Sequence, residues 1–368
     1  MLKFLTIFPK TSNVHLIKDV GMIPYVLHKE YGYDSSLISF ENGRYPYVET
    51  DVKGLKHLFI TRKFNNEIID VCWYILLNFR KYDIVQCYHI SKESIIYLLF
   101  FKFLKLITFS KNVTYLKFDA NDSIKNAGLS KKLIYILKKI NILSVETKTL
   151  YKYLNSKNLF NGKLNYIPNG YYNSKNKVKF SSKENIILTV GRIGSKEKNN
   201  EVLLNSFKDF AKENEDWKLE LVGPIDNGFN QYINHYFKEN PDLISRVIFT
   251  GNITDRGLLQ AKYDKAKIFA LTSPMEAFPL VFLEAIKSGC TLICPNFSSA
   301  IDVTSDGELG VLFKVGNYDS LTIQITEMAN NSAKLEYNCE KIQDYAYDNF
   351  YWKKICGNLN EIILRELN

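Results

Sequence analysis

The feature that most constrains the fold of this chain is a regular alternation of short β-branched or aromatic runs with longer segments of helical periodicity. Such alternation is typical of βαβ units around a parallel sheet, and it continues through both halves of the sequence. In the first half the predicted strands are 4–8, 36–40, 57–60, 84–89, 114–118 and 143–147, and the predicted helices are 14–30, 67–80, 94–106 and 131–139. In the second half the predicted strands are 186–190, 218–222, 247–250, 268–272 and 291–294, and the predicted helices are 201–212, 228–239, 280–288 and 319–330.

A polar segment without periodicity, 171–184, separates the halves and is interpreted as a linker. A chain of 368 residues is long enough for two domains that each bury a core. We therefore expect two doubly wound α/β domains, 1–172 and 173–349, with a last helix at about 350–368 that packs back on the first. Ligands of such sheets bind beyond the carboxyl ends of the strands, so a cleft between two facing sheets is the expected site.

Charge is distributed unevenly between the halves. Residues 1–172 hold 25 Lys and Arg against 13 Asp and Glu, and residues 173–368 hold 23 against 26, which makes net charges of +12 and −3. A basic first half indicates an anionic partner, and nucleic acid, an anionic membrane surface and an anionic acceptor all fit. The sequence contains no nucleic-acid recognition motif and no platform of interleaved aromatic and basic residues, so we do not expect nucleic acid.

Apolar runs and cysteines favour a cytoplasmic location, and the basic first half leaves peripheral contact with the inner face of the cell membrane as an open alternative. Met1–Phe8 stops at Pro9 and fits a buried strand better than a signal peptide. The longest apolar stretch, 94–107, is interrupted by two lysines and is too short to span a bilayer. Reduced, buried thiols are expected for the cysteines, which form no C-x-x-C pair and are Cys72, Cys87, Cys290, Cys294, Cys339 and Cys356.

The segment 271–289 predicts an anion site at the start of a helix. A strand ends at Thr272, Pro279 opens the helix at its first position, and Gly289 closes it in the left-handed conformation. The backbone N–H groups around Leu280 and Val281 would then be free to bind an anion.

Two carboxylates accompany this anion site. Glu276 lies in the loop before the helix and Glu284 lies one to two turns inside it. Carboxylates accept hydrogen bonds from hydroxyls, so the combination suits a sugar phosphate or a nucleotide-sugar.

A second segment, 187–204, also predicts contact with phosphate. A strand leads into Gly191, which permits a tight exit, and a loop then runs to a helix that Asn199 or Asn200 could cap. Arg192 and Lys198 flank this loop and could neutralise a diphosphate leaving group.

Together these segments resemble the family 4 retaining glycosyltransferases, which have the GT-B fold. Glu276 and Glu284 match the family's E-x7-E motif, and the stretch from Gly191 and Arg192 to Lys198 resembles its V-G-R…K-N segment. The resemblance implies that Glu276 approaches the donor sugar, that Glu284 binds the ribose, and that Arg192 and Lys198 hold the pyrophosphate. It further implies donor contacts in the second domain from Gly191, Gly223, Asn252, Phe278, Leu280 and Val281.

The first domain resembles the family only in topology, and there the resemblance implies acceptor binding. Asp119 follows a predicted strand where relatives carry a His or an acidic residue near the reacting sugar, so it is a candidate catalytic residue. His89 ends the preceding strand, while Asn13 and His15 lie at the start of the helix predicted from Val14. These three are candidate acceptor ligands. Asp119 and His89 could each equally be a hydrogen-bonded structural residue.

The resemblance implies a hexosyltransferase that moves a sugar, with retention, from a UDP- or GDP-sugar to a saccharide or lipid-linked saccharide in bacterial surface polysaccharide biosynthesis. We expect no cofactor and no metal, because two cations serve the diphosphate and no D-x-D triplet follows a strand. The basic helices 94–107 and 131–139 suggest contact with an anionic membrane. A sugar-nucleotide epimerase, a phosphorylase and a non-catalytic nucleotide-sugar-binding scaffold remain as alternatives.

Overall fold

The computed structural model describes residues 1–118, 124–125, 128–172 and 177–368. The chain divides into two compact units: the first unit comprises residues 1–172 and 350–368, and the second comprises residues 173–349. None of the helices in the described part of the chain is long and apolar enough to cross a membrane.

Within the described residues, the first unit contains a seven-stranded parallel sheet of order β3-β2-β1-β4-β5-β6-β7. Its strands are β1 (Lys3–Ile7), β2 (Asp34–Ser39), β3 (Lys56–Phe59), β4 (Ile84–Tyr88), β5 (Val113–Lys117), β6 (Ile142–Val145) and β7 (Leu164–Tyr166). Its helices up to β7 include α1 (Asp19–Tyr31), α2 (Glu67–Asn78), α3 (Lys92–Ile107), α4 (Lys131–Leu137) and α5 (Lys148–Ser156). The strand order reverses between β1 and β4, which makes this the switch point of the sheet.

The second unit has a six-stranded parallel sheet of order β10-β9-β8-β11-β12-β13 among the residues that the structure describes. The strands are β8 (Glu184–Val190), β9 (Lys218–Val222), β10 (Val247–Gly251), β11 (Ala266–Ala270), β12 (Thr291–Pro295) and β13 (Gly310–Phe313). The helices are α6 (Asn200–Phe210), α7 (Phe229–Glu239), α8 (Arg256–Lys265), α9 (Leu280–Lys287), α10 (Ser298–Val303), α11 (Tyr318–Ala329) and α12 (Ser332–Phe350). Here the order reverses between β8 and β11.

The last helix, α13 (Trp352–Leu367), packs on the first unit. Trp352 is 1% exposed and lies in a core that α13 shares with α1. Tyr33 donates a hydrogen bond to Asn360 at 2.7 Å, and Lys353 pairs with Glu30 at 2.8 Å.

Each strand predicted from the sequence occurs within two residues of its predicted ends. The single helix predicted over 14–30 is wrong. A 3-10 helix, Asn13–Ile17, is followed by a break at Lys18 and then by α1. Lys18 has an extended backbone, so the 3-10 helix ends there and α1 begins at Asp19.

Candidate functional site

The candidate site lies at the switch point of the second unit, beyond the carboxyl ends of β8 and β11. The loop after β8 carries Arg192 and Lys198, and the loop after β11 carries Glu276 and leads into α9. Because no crossover covers a switch point, the loops that leave these two strands diverge and open a crevice for a ligand. Both segments that the sequence singled out therefore meet at one edge of one sheet.

Two glycines allow the backbone segments at the ends of β8 and β9 to approach each other closely. Gly191 donates its N–H to the Val222 carbonyl at 2.9 Å. A Cβ on Gly223 would lie 1.8 Å from the Gly191 carbonyl oxygen, and Gly223 has a φ of +142°. Only glycine fits that position. Because glycine has no side chain, the crevice at these strand ends is not filled there.

An ion pair connects the two loops. The Lys198 ammonium lies 2.5 Å from the Glu276 carboxylate, and each side chain is 20% exposed. The Thr272 hydroxyl adds a second connection by donating to the Lys198 carbonyl at 2.8 Å. Lys198, which the resemblance assigns to the diphosphate, is thus in direct contact with Glu276, which the resemblance assigns to the sugar.

Arg192 is held far more loosely than Lys198. Its guanidinium lies 3.4 Å from Glu197, and the two side chains are 63% and 69% exposed. An exposed ion pair of this kind contributes little to stability, so another anion can easily replace the Glu197 carboxylate. Arg192 can therefore turn toward a phosphate without breaking a buried contact.

The β8–α6 loop is fixed by Asn200 rather than by a cap on α6. Asn199 occupies the N-cap position with a φ of +49° and makes no side-chain cap bond. The Asn200 side chain instead accepts a hydrogen bond from the Gly194 N–H at 2.8 Å. Asn199 thus occupies the predicted N-cap position, but neither side chain makes a capping hydrogen bond, and that of Asn200 holds the loop instead.

Helix α9 begins at Leu280, as predicted, with Pro279 as its N-cap rather than at its first helical position. Leu280 and Val281 are half-buried, and the N–H groups of such first-turn residues have no partner inside a helix. With the partial positive charge of the helix start, they make this end of α9 a candidate anion site that follows the Glu276 loop. The other end of α9 closes at Gly289, whose φ is +72°, as predicted.

Glu284 lies on α9 and is half-buried. It accepts a hydrogen bond from the Tyr263 hydroxyl of α8 at 2.9 Å. Burial, and next the charge of Glu284, raise the pKa of Tyr263, so this phenol stays a donor. Tyr263 orients the carboxylate. This role could not be predicted from the sequence, because helix α8 itself was not predicted.

Two other predicted donor ligands, Phe278 and Asn252, differ in their exposure to solvent. Phe278 is 6% exposed and lies directly before the start of α9. Asn252 follows β10 and is exposed. Among the residues that the structure describes, no group of three His, Cys, Asp or Glu side chains could hold a metal ion.

The first unit has a cavity of about 530 Å³ at its own switch point. It lies beyond β1 and β4, where Phe8 and His89 line it, and is completed by residues at the starts of α2 and α3, including Glu67 and Glu93. His89 has a φ of +61°, and its N–H donates to the Lys117 carbonyl at 2.9 Å. Of the predicted acceptor ligands, His89 is the one that lines this cavity.

The other acceptor candidates of the first unit make structural contacts. Asn13 accepts a hydrogen bond from the Tyr47 N–H at 3.0 Å, which holds the segment after β2. His15 accepts one from the Ser12 N–H at 2.9 Å and so closes the 3-10 turn. Asp119 lies outside the described residues.

A buried charge network underlies the carboxyl edge of the first sheet. Lys117 at the end of β5 is fully buried and lies 3.0 Å from Asp19 and 2.6 Å from Glu146. Burial alone would lower the pKa of Lys117, and the two carboxylates reverse that effect and raise it. The sequence did not signal this network, because its members lie on three different elements.

Comparison with known proteins agrees with this architecture. Residues 172–348 match the family described as "Glycosyl transferases group 1". The capsular polysaccharide biosynthesis glycosyltransferase CapM of Staphylococcus aureus is 23% identical over 168 residues, which cover 45% of this chain and 42% of that relative.

Solved structures resemble the whole chain. HepE from Anabaena, in complex with UDP and glucose, has a TM-score of 0.70 at 15% identity. The match covers 99% of this chain and 100% of the HepE chain. A glycosyltransferase from Rickettsia africae ESF-5 has a TM-score of 0.72 at 18% identity and covers 100% and 99%. The lipopolysaccharide outer core galactosyltransferase WaaB has a TM-score of 0.72 at 17% identity and covers both chains fully, 100% and 100%.

The two doubly wound units and these structural likenesses define a protein of the GT-B fold, as the sequence predicted. The candidate site lies within residues 172–348, the part of the chain that matches the group 1 glycosyl transferases.

Proposed function

We propose that the protein is a glycosyltransferase that moves a sugar from a nucleotide-sugar to a saccharide or lipid-linked saccharide. The observation that carries this proposal is the meeting of Lys198, Glu276 and the start of α9 at the switch point of the second unit. Cations and helix N–H groups suit a diphosphate, and carboxylates suit sugar hydroxyls. HepE and CapM, by their names and bound molecules, support a UDP-sugar donor and a role in surface polysaccharide synthesis.

In this proposal the donor diphosphate binds at Lys198, Arg192 and the N–H groups of Leu280 and Val281. As the bond between the sugar's anomeric carbon and the diphosphate breaks, these groups stabilise the negative charge that develops on the leaving oxygen. Glu276 accepts hydrogen bonds from the sugar, and Glu284, held by Tyr263, accepts them from the ribose.

The proposal includes retention of the anomeric configuration and no requirement for a metal. The acceptor hydroxyl attacks the face from which the diphosphate departs, forming the new glycosidic bond as the old one breaks. Its proton passes to the departing diphosphate. The first unit supplies the acceptor pocket, for which the cavity lined by Phe8, His89, Glu67 and Glu93 is the candidate.

Turnover of UDP- and GDP-sugars in the presence of EDTA tests the proposal. Lys198→Ala and Arg192→Ala should each lower kcat by about 10²–10³-fold, the range for removing one group that stabilises a developing oxyanion. Lys196→Ala is the matched control, since Lys196 is an exposed lysine of the same loop, and it should retain turnover.

The anomeric configuration of the product, read by NMR, tests retention. Unchanged turnover in Lys198→Ala, with folding intact, contradicts the assigned role of this lysine. Loss of all turnover in EDTA that magnesium restores contradicts metal independence, and an inverted product contradicts retention.

A further inference from the structure

The outward face of α3 carries large apolar side chains that water contacts. Phe103, Leu106 and Ile107 on its last turns are 56%, 69% and 55% exposed, and Phe109 just beyond is 97% exposed. Leu77 at the end of α2 is 63% exposed. These five residues are called the apolar patch. A helix that packs one face on a core ordinarily has a polar opposite face, so an apolar one indicates an interaction surface.

The members of the apolar patch belong to one region of the first unit. Helices α2 and α3 pack side by side, and the single turn Phe79–Lys81 that follows α2 also contacts α3. Phe109 has a φ of +51°, an uncommon conformation for a bulky residue. Strained residues of this kind cluster at functional surfaces.

Cations surround the apolar patch. The Lys102 ammonium donates to the Lys139 carbonyl at 2.6 Å, which brings the segment after α4 beside α3. Two acidic side chains nearby are already engaged, since Asp83 accepts from the Lys3 N–H at 2.9 Å and Glu366 from the Asn141 amide at 3.2 Å. The exposed cations of the rim are Arg80, Lys81, Lys111 and Lys139.

The lysine-rich helix α4 packs apolar side chains on the first unit. Leu133 and Ile134 pack against the core of the first unit and Leu137 is fully buried. Helix α4 therefore contributes charge to a surface contact, and the apolar side chains come from α2, α3 and Phe109.

We propose that the apolar patch inserts into an anionic lipid surface while the rim cations bind the lipid phosphates. Apolar side chains flanked by Lys and Arg are the combination that binds such an interface. The net charge of +12 on residues 1–172 favours the same partner. A second copy of this chain is a poorer match, because a two-fold contact through the apolar patch would bring the like-charged rims together. This proposal stands independently of the donor chemistry.

Vesicle co-sedimentation of the full chain tests the proposal. The protein should sediment with vesicles of equal parts phosphatidylcholine and phosphatidylglycerol, release on addition of salt, and stay in solution with phosphatidylcholine alone. The double variant Leu106→Ser/Phe109→Ser should bind the anionic vesicles at least about tenfold more weakly, since it removes two inserted side chains. The matched control is Ile244→Ser/Leu258→Ser, which changes residues of the second unit that are 61% and 63% exposed.

Trp73 on α2 provides a second readout. It is 37% exposed, while the other tryptophans, Trp217 and Trp352, are 4% and 1% exposed. Anionic vesicles should therefore shift its emission to shorter wavelength in the wild type and in the control, and less in the patch variant.

Three outcomes overturn the proposal: wild type that does not bind anionic vesicles, a patch variant that binds as well as wild type, or a concentration-dependent dimer in light scattering that the patch variant abolishes. Thermal unfolding of the patch variant with and without UDP or GDP shows whether it still folds and binds nucleotide. Failure of vesicle binding is thereby distinguished from failure of the proposed function.

Discussion

The Lys198 ammonium and the Glu276 carboxylate are paired at 2.5 Å, although the proposed function gives each a different partner in the bound donor. The pairing has a clear consequence for binding. A diphosphate must compete with Glu276 for Lys198, and Glu276 is released toward the sugar when the diphosphate succeeds. The intact nucleotide-sugar supplies both partners at once, so the pair favours it over the free nucleotide.

Glu276→Gln removes this competition while nearly preserving the side-chain volume. The affinity for free UDP or GDP should rise about three- to tenfold, consistent with the roughly 1 kcal/mol that a partly exposed ion pair contributes. The preference for the nucleotide-sugar over the free nucleotide should fall at the same time. Isothermal titration calorimetry measures both affinities.

Glu197→Gln is the control for that experiment, because Glu197 pairs with Arg192 in an exposed position, and its effect should be smaller. An unchanged or weakened nucleotide affinity in Glu276→Gln would show that the ion pair does not compete with the ligand.

At the scale of elements, both sheets present polar groups at the carboxyl edge of the strands beside the switch point. In the second unit these groups come from the loops after β8 and β11 and from the start of α9. In the first unit the end of β5 is held by the buried contacts of Lys117 with Asp19 of α1 and Glu146 after β6. This network joins three elements immediately below the candidate acceptor region.

Lys117→Met should lower the stability of the first unit by about 3–5 kcal/mol, because it leaves two buried carboxylates without their cation. Thermal unfolding followed by circular dichroism measures the loss. The triple variant Lys117→Met, Asp19→Asn and Glu146→Gln removes all three charges and should recover much of the stability. Wild-type stability in Lys117→Met would refute the structural importance of the network.

Most of the strands, and the two loops of the donor site, could be predicted from the sequence because each depends on local pattern. The strand before Gly191 and the run from Pro279 to Gly289 contain their own start and stop signals. The pairing of Lys198 with Glu276 could not be predicted, since it depends on how two distant loops meet. The same holds for Tyr263 beside Glu284.

The candidate acceptor residues of the first unit were the least predictable from the sequence. Asn13 and His15 are polar residues near a strand end, yet local hydrogen bonds occupy them. The cavity next to His89 is built from the starts of α2 and α3, which the sequence predicted as helices without indicating that they converge.

At the scale of the whole molecule, the chain divides its chemistry between the two units. The second unit holds the match to the group 1 glycosyl transferases and the candidate donor site. The first unit has most of the positive charge, a cavity at its switch point and the apolar patch. We therefore predict that donor binding depends on residues of the second unit and that membrane binding depends on residues of the first.

A donor site at the switch point of the second unit is tested most directly by a thermal-shift screen in the presence of EDTA. The screen covers UDP-, GDP- and other nucleotide-sugars, with wild type, Lys198→Ala and Lys196→Ala. We predict that at least one nucleotide-sugar raises the unfolding temperature of wild type and of Lys196→Ala, and that Lys198→Ala loses most of this shift. The absence of a shift with every nucleotide-sugar, or an undiminished shift in Lys198→Ala, would contradict a donor site at the switch point of the second unit.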